Sequence, residues 1–131
     1  MEEVYEFLKK VGTYYLATDD NGQPRVRPFG TIDIFDNALT IQTGKVKDVS
    51  KQIHANPNIE ICAYDGEKWL RITAKAIEDE RLEAKEHMLD NHPSLKRMYK
   101  ADDGNTEIFK LTNVKATFSS FKEAPRTIEW E

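Results

Sequence analysis

The sequence predicts a mainly β fold, a small β-barrel of about six or seven antiparallel strands with peripheral helices. Three observations carry this. Several segments alternate apolar and polar residues with the two-residue period of a half-buried strand. Tight-turn pairs, Asn21-Gly22, Asp36-Asn37 and Asp65-Gly66, separate most of them, which makes neighbouring strands antiparallel. Regular strand–helix alternation is absent, which argues against a doubly wound sheet.

The elements follow in order. Val4, Phe7, Leu8 and Val11 fall on one face of a first helix that stops at Gly12. TYYLAT is the first strand, rich in aromatic and β-branched residues. After Asn21-Gly22, RVRPFGTIDIF is extended, with Pro28 and Gly30 marking a bulge or an edge. ALTIQT returns as its partner strand. In GKVKDVSKQIHANP the period changes: Val46, Val49 and Ile53 are spaced as in a helix, which Asn56-Pro57 ends. NIEICAY points Ile59, Ile61 and Ala63 one way. KWLRITAKAIE buries Leu70, Ile72, Ala74 and Ala76. Residues 79–91 form a surface helix, and Pro93 starts a short second one. EIFKL and KATFSSF are the last two strands, joined through Thr112-Asn113.

The 131 residues are read as one domain, long enough to bury a core without staples. Apolar residues at 39% and charged ones at 32% indicate a globular chain. With 19 Lys+Arg against 23 Asp+Glu the net charge is −4, which argues against a nucleic-acid binder. No apolar run is long enough to span a membrane, and the acidic, amphipathic N-terminus is no secretory signal. A single cysteine, Cys62, excludes an internal disulfide and a cysteine-based zinc cluster. A reducing cytoplasm is the expected location.

The chemistry concentrates in QTGKVKDVSKQI. A strand ends at Thr43-Gly44 and a helix begins near Lys45 or Val46. Free amides at a helix N-terminus suit a phosphate. Lys45, Lys47 and Lys51 add positive charge, and Ser50 adds a hydroxyl. The alternative is a solvated lysine face. Arg25 and Arg27 project to one side of their strand, and arginine suits phosphate or carboxylate. That strand pairs with the one ending at Thr43, so the two features can meet at one sheet edge. The alternative is a surface arginine pair matched to nearby acids. Trp69 and Arg71 lie on the polar face of the long strand. They either stack on a planar ligand or cover a barrel mouth or subunit interface. His54, His87 and His92 have no partner at metal-ligand spacing, so they read as surface residues and no metal site is read. No nucleophile–base arrangement is present.

In this order, the motifs YYLATxxxxGxPRVRPFG, LTIxTGK, KQIxxNPxIEI and WLRITA resemble the pyridoxamine 5′-phosphate oxidase-like superfamily. Within it they resemble the short flavin-binding branch of nitroimidazole-resistance (Nim) and general-stress flavin proteins. The resemblance implies an FMN-binding split β-barrel that forms a homodimer with the flavin at the interface. It places Arg25, Val26, Arg27, Pro28 and Phe29 on the strand that contacts the flavin phosphate and ring edge. Gln42, Thr43 and Gly44 take the strand end at the isoalloxazine and ribityl chain. Lys45, Lys47, Ser50 and Lys51 become the phosphate candidates. Trp69 and Arg71 become the residues reaching the partner's flavin, with Phe118 and Ser119 near the site. The oxidase's Arg-Lys pair is replaced here by Asp48-Val49, so the lysine role shifts to Lys45 or Lys47. The oxidase's substrate-phosphate residues lie beyond Glu131, so pyridoxamine phosphate oxidation is not expected.

The implied activity is transfer of electrons from a nicotinamide donor to a small acceptor, such as a nitro compound. F420, FAD and haem are the alternative cofactors. A flavin-binding module without turnover and a small-barrel interaction domain are the alternative functions.

Overall fold

The computed structural model describes all residues, Met1–Glu131. The elements are α1 (Glu2–Val11), β1 (Tyr14–Asp20), β2 (Gln23–Phe29), β3 (Asp33–Phe35), β4 (Ala38–Gly44), α2 (Asp48–Ala55), β5 (Asn58–Tyr64) and β6 (Lys68–Glu78). Then come α3 (Leu82–Asn91), a 3₁₀ helix (Pro93–Arg97), β7 (Thr106–Ser120) and β8 (Arg126–Trp130). The strands form one antiparallel sheet in the order β2-β1-β5-β6-β7-β4-β3, and β8 pairs with β7. Leu16, Ile41, Ile61, Ile72 and Ala116, from five different strands, are all fully buried in one apolar cluster. The sheet therefore coils around its own inner face as a split barrel.

The alternation observed in the sequence is the alternation of burial. Ile59, Ile61 and Ala63 on β5, and Leu70, Ile72, Ala74 and Ala76 on β6, all point inward. Asn21-Gly22 connects β1 to β2 with φ 52° and 91°, and Asp36-Asn37 connects β3 to β4 with φ 50° and 60°. Both are the left-handed two-residue turns that match strand twist. Helix α1 buries Val4 and Leu8, and its Phe7 ring meets Phe118 edge-on at 5.5 Å.

Five expectations are corrected. The sheet has eight strands, because β8, a segment with no strong pattern, adds to the second half of β7. Residues 25–35 are two strands, and only Asp33–Phe35 pairs with β4; Arg25–Phe29 pairs with β1. The cause is local: the Asn21-Gly22 turn folds β2 back on β1. Pro24 and Pro28 lack the N–H groups an interior strand would need, so β2 stays at an edge. The two final strands are one, since β7 runs through Asn113 (φ 50°) as an irregularity where the β6 register shifts. Helix α2 starts at Asp48, because Lys47 is extended (φ −82°, ψ 150°). Helix α3 starts at Leu82, after Asp79 accepts the Arg81 backbone N–H.

The β2–β3 link crosses the split. Tyr14 is buried, and its hydroxyl donates to the Thr31 carbonyl at 2.6 Å. Burial pushes that phenol's pKa far above its ordinary value, outweighing the hydrogen bond. Thr31 Oγ1 in turn accepts the Gln42 N–H at 3.1 Å, tying the link to β4.

Candidate functional site

The site starts where β4 runs out. Gly44 is buried, and a Cβ there would lie 3.1 Å from Asn105 Nδ2 and 3.2 Å from the Tyr99 hydroxyl. Asn105 braces the following turn: its carbonyl accepts the Lys45 N–H at 2.8 Å and its Oδ1 the Val46 N–H at 3.2 Å. Asp103 organises that loop by accepting the N–H groups of Lys100, Asn105 and Thr106. Desolvation alone would raise its pKa, but these donors outweigh it and hold the carboxyl well below its ordinary range. Gly44→Val must displace the Asn105 amide and the Tyr99 hydroxyl. It is expected to lower thermal stability by about 1–3 kcal/mol, read as a lower Tm.

Arg27 is half-buried on β2. Its guanidinium donates to Thr18 Oγ1 at 2.8 Å, to the Leu16 carbonyl at 3.3 Å and to Gln52 Oε1 at 2.6 Å. Thr18 donates to the same Gln52 oxygen at 2.6 Å. The cation is thereby clamped between β1 and α2. Desolvation and the neighbouring Arg25 lower its pKa while Asp48 opposes them, yet arginine stays protonated at neutral pH. Arg25 is exposed and pairs with Asp20 at 3.1 Å. No side chain caps the N-terminus of α2, which Lys47 precedes. Arg25, Arg27, Lys47, Asp48 and Gln52 line one open groove of about 520 Å³, with Val26 on its wall.

A second cleft adjoins it, because Lys47 lines both. Its other walls are Pro28, Phe29, Gln42 and Thr43, together with Leu95, Met98 and Tyr99. Eight of the candidate residues are thus brought to one place, with a ninth, Gly44, turning the chain between them. The remainder lie elsewhere. Ser50 is buried and donates to Glu107 Oε1 at 2.5 Å. Lys45 Nζ sits 3.5 Å from Glu78 Oε2. Lys51 is exposed on α2. Lys47 and Lys51 share no helical face, since Lys47 lies before the helix. Phe118 and Ser119 line a separate cleft with Glu3, Phe7 and Arg126.

Trp69 and Arg71 lie on the outer face of the sheet. Register places Tyr15 opposite Cys62, Cys62 opposite Arg71, and Tyr64 opposite Trp69. Val26 joins the same face, where Tyr15, Val26 and Tyr64 are 53%, 68% and 57% exposed. Arg71 pairs with Glu60 at 3.5 Å, and Trp69 packs on Phe121.

Sequence reasoning missed Thr18, Gln52, Asn105 and the Leu95–Tyr99 wall. Only Pro93 hinted at a turn there. The histidines do lie at or near the surface, but each has a partner. His54 Nε2 is 2.7 Å from Glu107 and His87 Nδ1 is 2.6 Å from Asp33, both buried carboxylates. His92 Nε2 sits against the Ile32 backbone. No helix is long and apolar enough to cross a membrane.

Comparison with known proteins agrees with this architecture. A NimC/NimA family protein from Clostridium acetobutylicum is 39% identical with a TM-score of 0.95, over 98% of this chain and 91% of that one. General Stress Protein 26 from Bacillus anthracis is 19% identical with a TM-score of 0.74, over 97% and 98%. An F420 reductase is 17% identical with a TM-score of 0.62, over 83% and 93%. The last two show the shared fold alone. No curated protein sequence matches. The pyridoxamine 5′-phosphate oxidase profile matches residues 1–120, and the chain belongs to that family, on the side of the NimC/NimA proteins.

Proposed function

We propose that the protein is an FMN-binding oxidoreductase. It works as a homodimer and passes electrons from a nicotinamide donor to a small acceptor of the nitro-compound kind. The observation that carries this reading is the junction at Lys47. There an uncapped helix N-terminus and the Arg25–Arg27 pair meet a cleft floored by Gln42 and Thr43.

The residues present fit a flavin mononucleotide. The phosphate belongs at the start of α2, where Lys47, Arg25 and Arg27 offset its charge and the first-turn amides donate to it. Arg27 is held by Thr18 and Gln52, so little side-chain freedom is lost on binding. Gly44 lets the strand end turn closely into that helix, and a larger residue would press on the Tyr99 hydroxyl and the Asn105 amide. Pro28, Phe29, Leu95 and Met98 offer apolar walls to the ring. Bound FMN would supply the hydride and electron chemistry, and the protein its position and electrostatics.

The exposed outer face with Tyr15, Val26, Tyr64 and Trp69 supports dimerisation, since a run of apolar residues on a sheet face favours a partner. A second copy there would bring its Trp69 and Arg71 to the first copy's ring cleft. The test is oxidation of NADH or NADPH by the purified yellow protein, with and without an added nitroaromatic acceptor. Acceptor-dependent oxidation is the expected result. Bound flavin with no turnover under any acceptor would leave a binding module instead.

A further inference from the structure

Beneath α2, on the side away from the groove, three side chains from three elements converge. They are His54 of α2, Glu78 at the end of β6 and Glu107 of β7. His54 Nε2 is 2.7 Å from Glu107 Oε2 and 3.5 Å from Glu78 Oε1. One ligand atom from each lies within 4.8 Å of the others. The Glu107 side chain is 1% exposed and that of Glu78 16%.

Two features separate this cluster from an ordinary ion-pair triad. Glu78 Oε2 is fully buried yet accepts no hydrogen bond. Lys45 Nζ, at 3.5 Å and half-exposed, offers that oxygen only a long ionic contact. A buried carboxylate oxygen without a close donor carries a desolvation cost that a nearby cation offsets. Second, the ligand groups are already oriented from outside. Ser50 occupies Glu107 Oε1, leaving Oε2 for the centre, and the Phe109 ring packs against the imidazole at 5.5 Å. Metal sites commonly hold their ligands through such outer contacts.

We propose that His54 Nε2, Glu78 and Glu107 form a binding site for a divalent transition-metal ion of the zinc class. One imidazole and two carboxylates match that ion's ligand preferences and leave a fourth position for water. Ligands around a tetrahedral ion with bonds of about 2.0–2.1 Å lie roughly 3.3 Å apart. The His54–Glu107 pair, at 2.7 Å, would open toward that spacing, and the His54–Glu78 pair, at 3.5 Å, is already close to it. The bound ion would pin α2 to β6 and β7. The site does not depend on a flavin being present.

The test is calorimetric titration of zinc chloride into the purified protein, stripped with a chelator and dialysed. One ion per chain is expected, with a dissociation constant of about a micromolar or below. His54→Ala and Glu78→Gln should each weaken binding by about tenfold or more. His87→Ala, which alters the other histidine–carboxylate pair, should leave it unchanged. Glu78→Gln is nearly isosteric and decides the matter if His54→Ala does not fold. Absence of stoichiometric binding overturns the proposal. So does binding that survives Glu78→Gln, or binding lost with His87→Ala.

Discussion

Arg27→Ala is expected to reduce FMN affinity by about tenfold to a hundredfold. That corresponds to the roughly 1.5–3 kcal/mol of a hydrogen bond to a charged group. The reason is geometric as well as electrostatic. Arg27 is the half-buried cation of the groove, its guanidinium held by Thr18, Leu16 and Gln52. Lys47 and Arg25 are exposed, so alanine at Lys47 should weaken binding by less. Fluorescence titration of flavin-free protein with FMN reads both. Removing Arg27 also leaves Gln52 Oε1 with Thr18 as its remaining donor, so a melting curve must accompany the titration. Lysine at position 27 restores charge without the fork and should recover only part of the affinity. Equal affinity in wild type and Arg27→Ala would place the phosphate elsewhere.

Tyr15→Asp should convert the protein from dimer to monomer and release flavin with it. Tyr15 stands on the outer face of β1, between Pro28 of β2 and Cys62 of β5. It is 53% exposed, so the substitution removes little from the monomer's core, whose cluster lies on the opposite face. In a dimer built on this face, the new carboxylate would be buried without a partner, at a cost of several kcal/mol. Size-exclusion chromatography with light scattering, together with the flavin absorbance of the eluted peak, gives both answers. A dimeric, yellow Tyr15→Asp protein would move the interface to another surface.

Much of this fold is legible in the chain because burial and turn chemistry are local. The inward rows on β5 and β6 follow from alternation, and the left-handed turns at Asn21-Gly22 and Asp36-Asn37 follow from residue type. Pairing partners are less local. Arg25–Phe29 lies between β1 and β3 in sequence, and its edge position becomes clear only when Pro24 and Pro28 are set against a ladder needing N–H donors. The lysines show the same limit at smaller scale. Moving the start of α2 from Lys45 to Asp48 takes Lys47 off the helix. It also turns Ser50 inward with Val49 and Ile53.

The site divides in the same way. Its strand end and basic residues lie in two short segments, and the motif order exposes them. The far wall does not, because Leu95, Met98 and Tyr99 arrive from a 3₁₀ helix more than fifty residues downstream of Thr43. The His54–Glu78–Glu107 cluster is still more dispersed, since three different elements supply its members. No spacing rule anticipates such a meeting.

The central claim is that two copies of this chain build the flavin site between them. The most direct measurement is the ultraviolet–visible spectrum of the purified protein, taken with its native mass. The expected result is absorbance near roughly 375 and 450 nm from bound flavin, in a particle of twice the 15.1 kDa chain mass. A colourless protein that ignores added FMN would contradict it, and so would a flavin-loaded monomer.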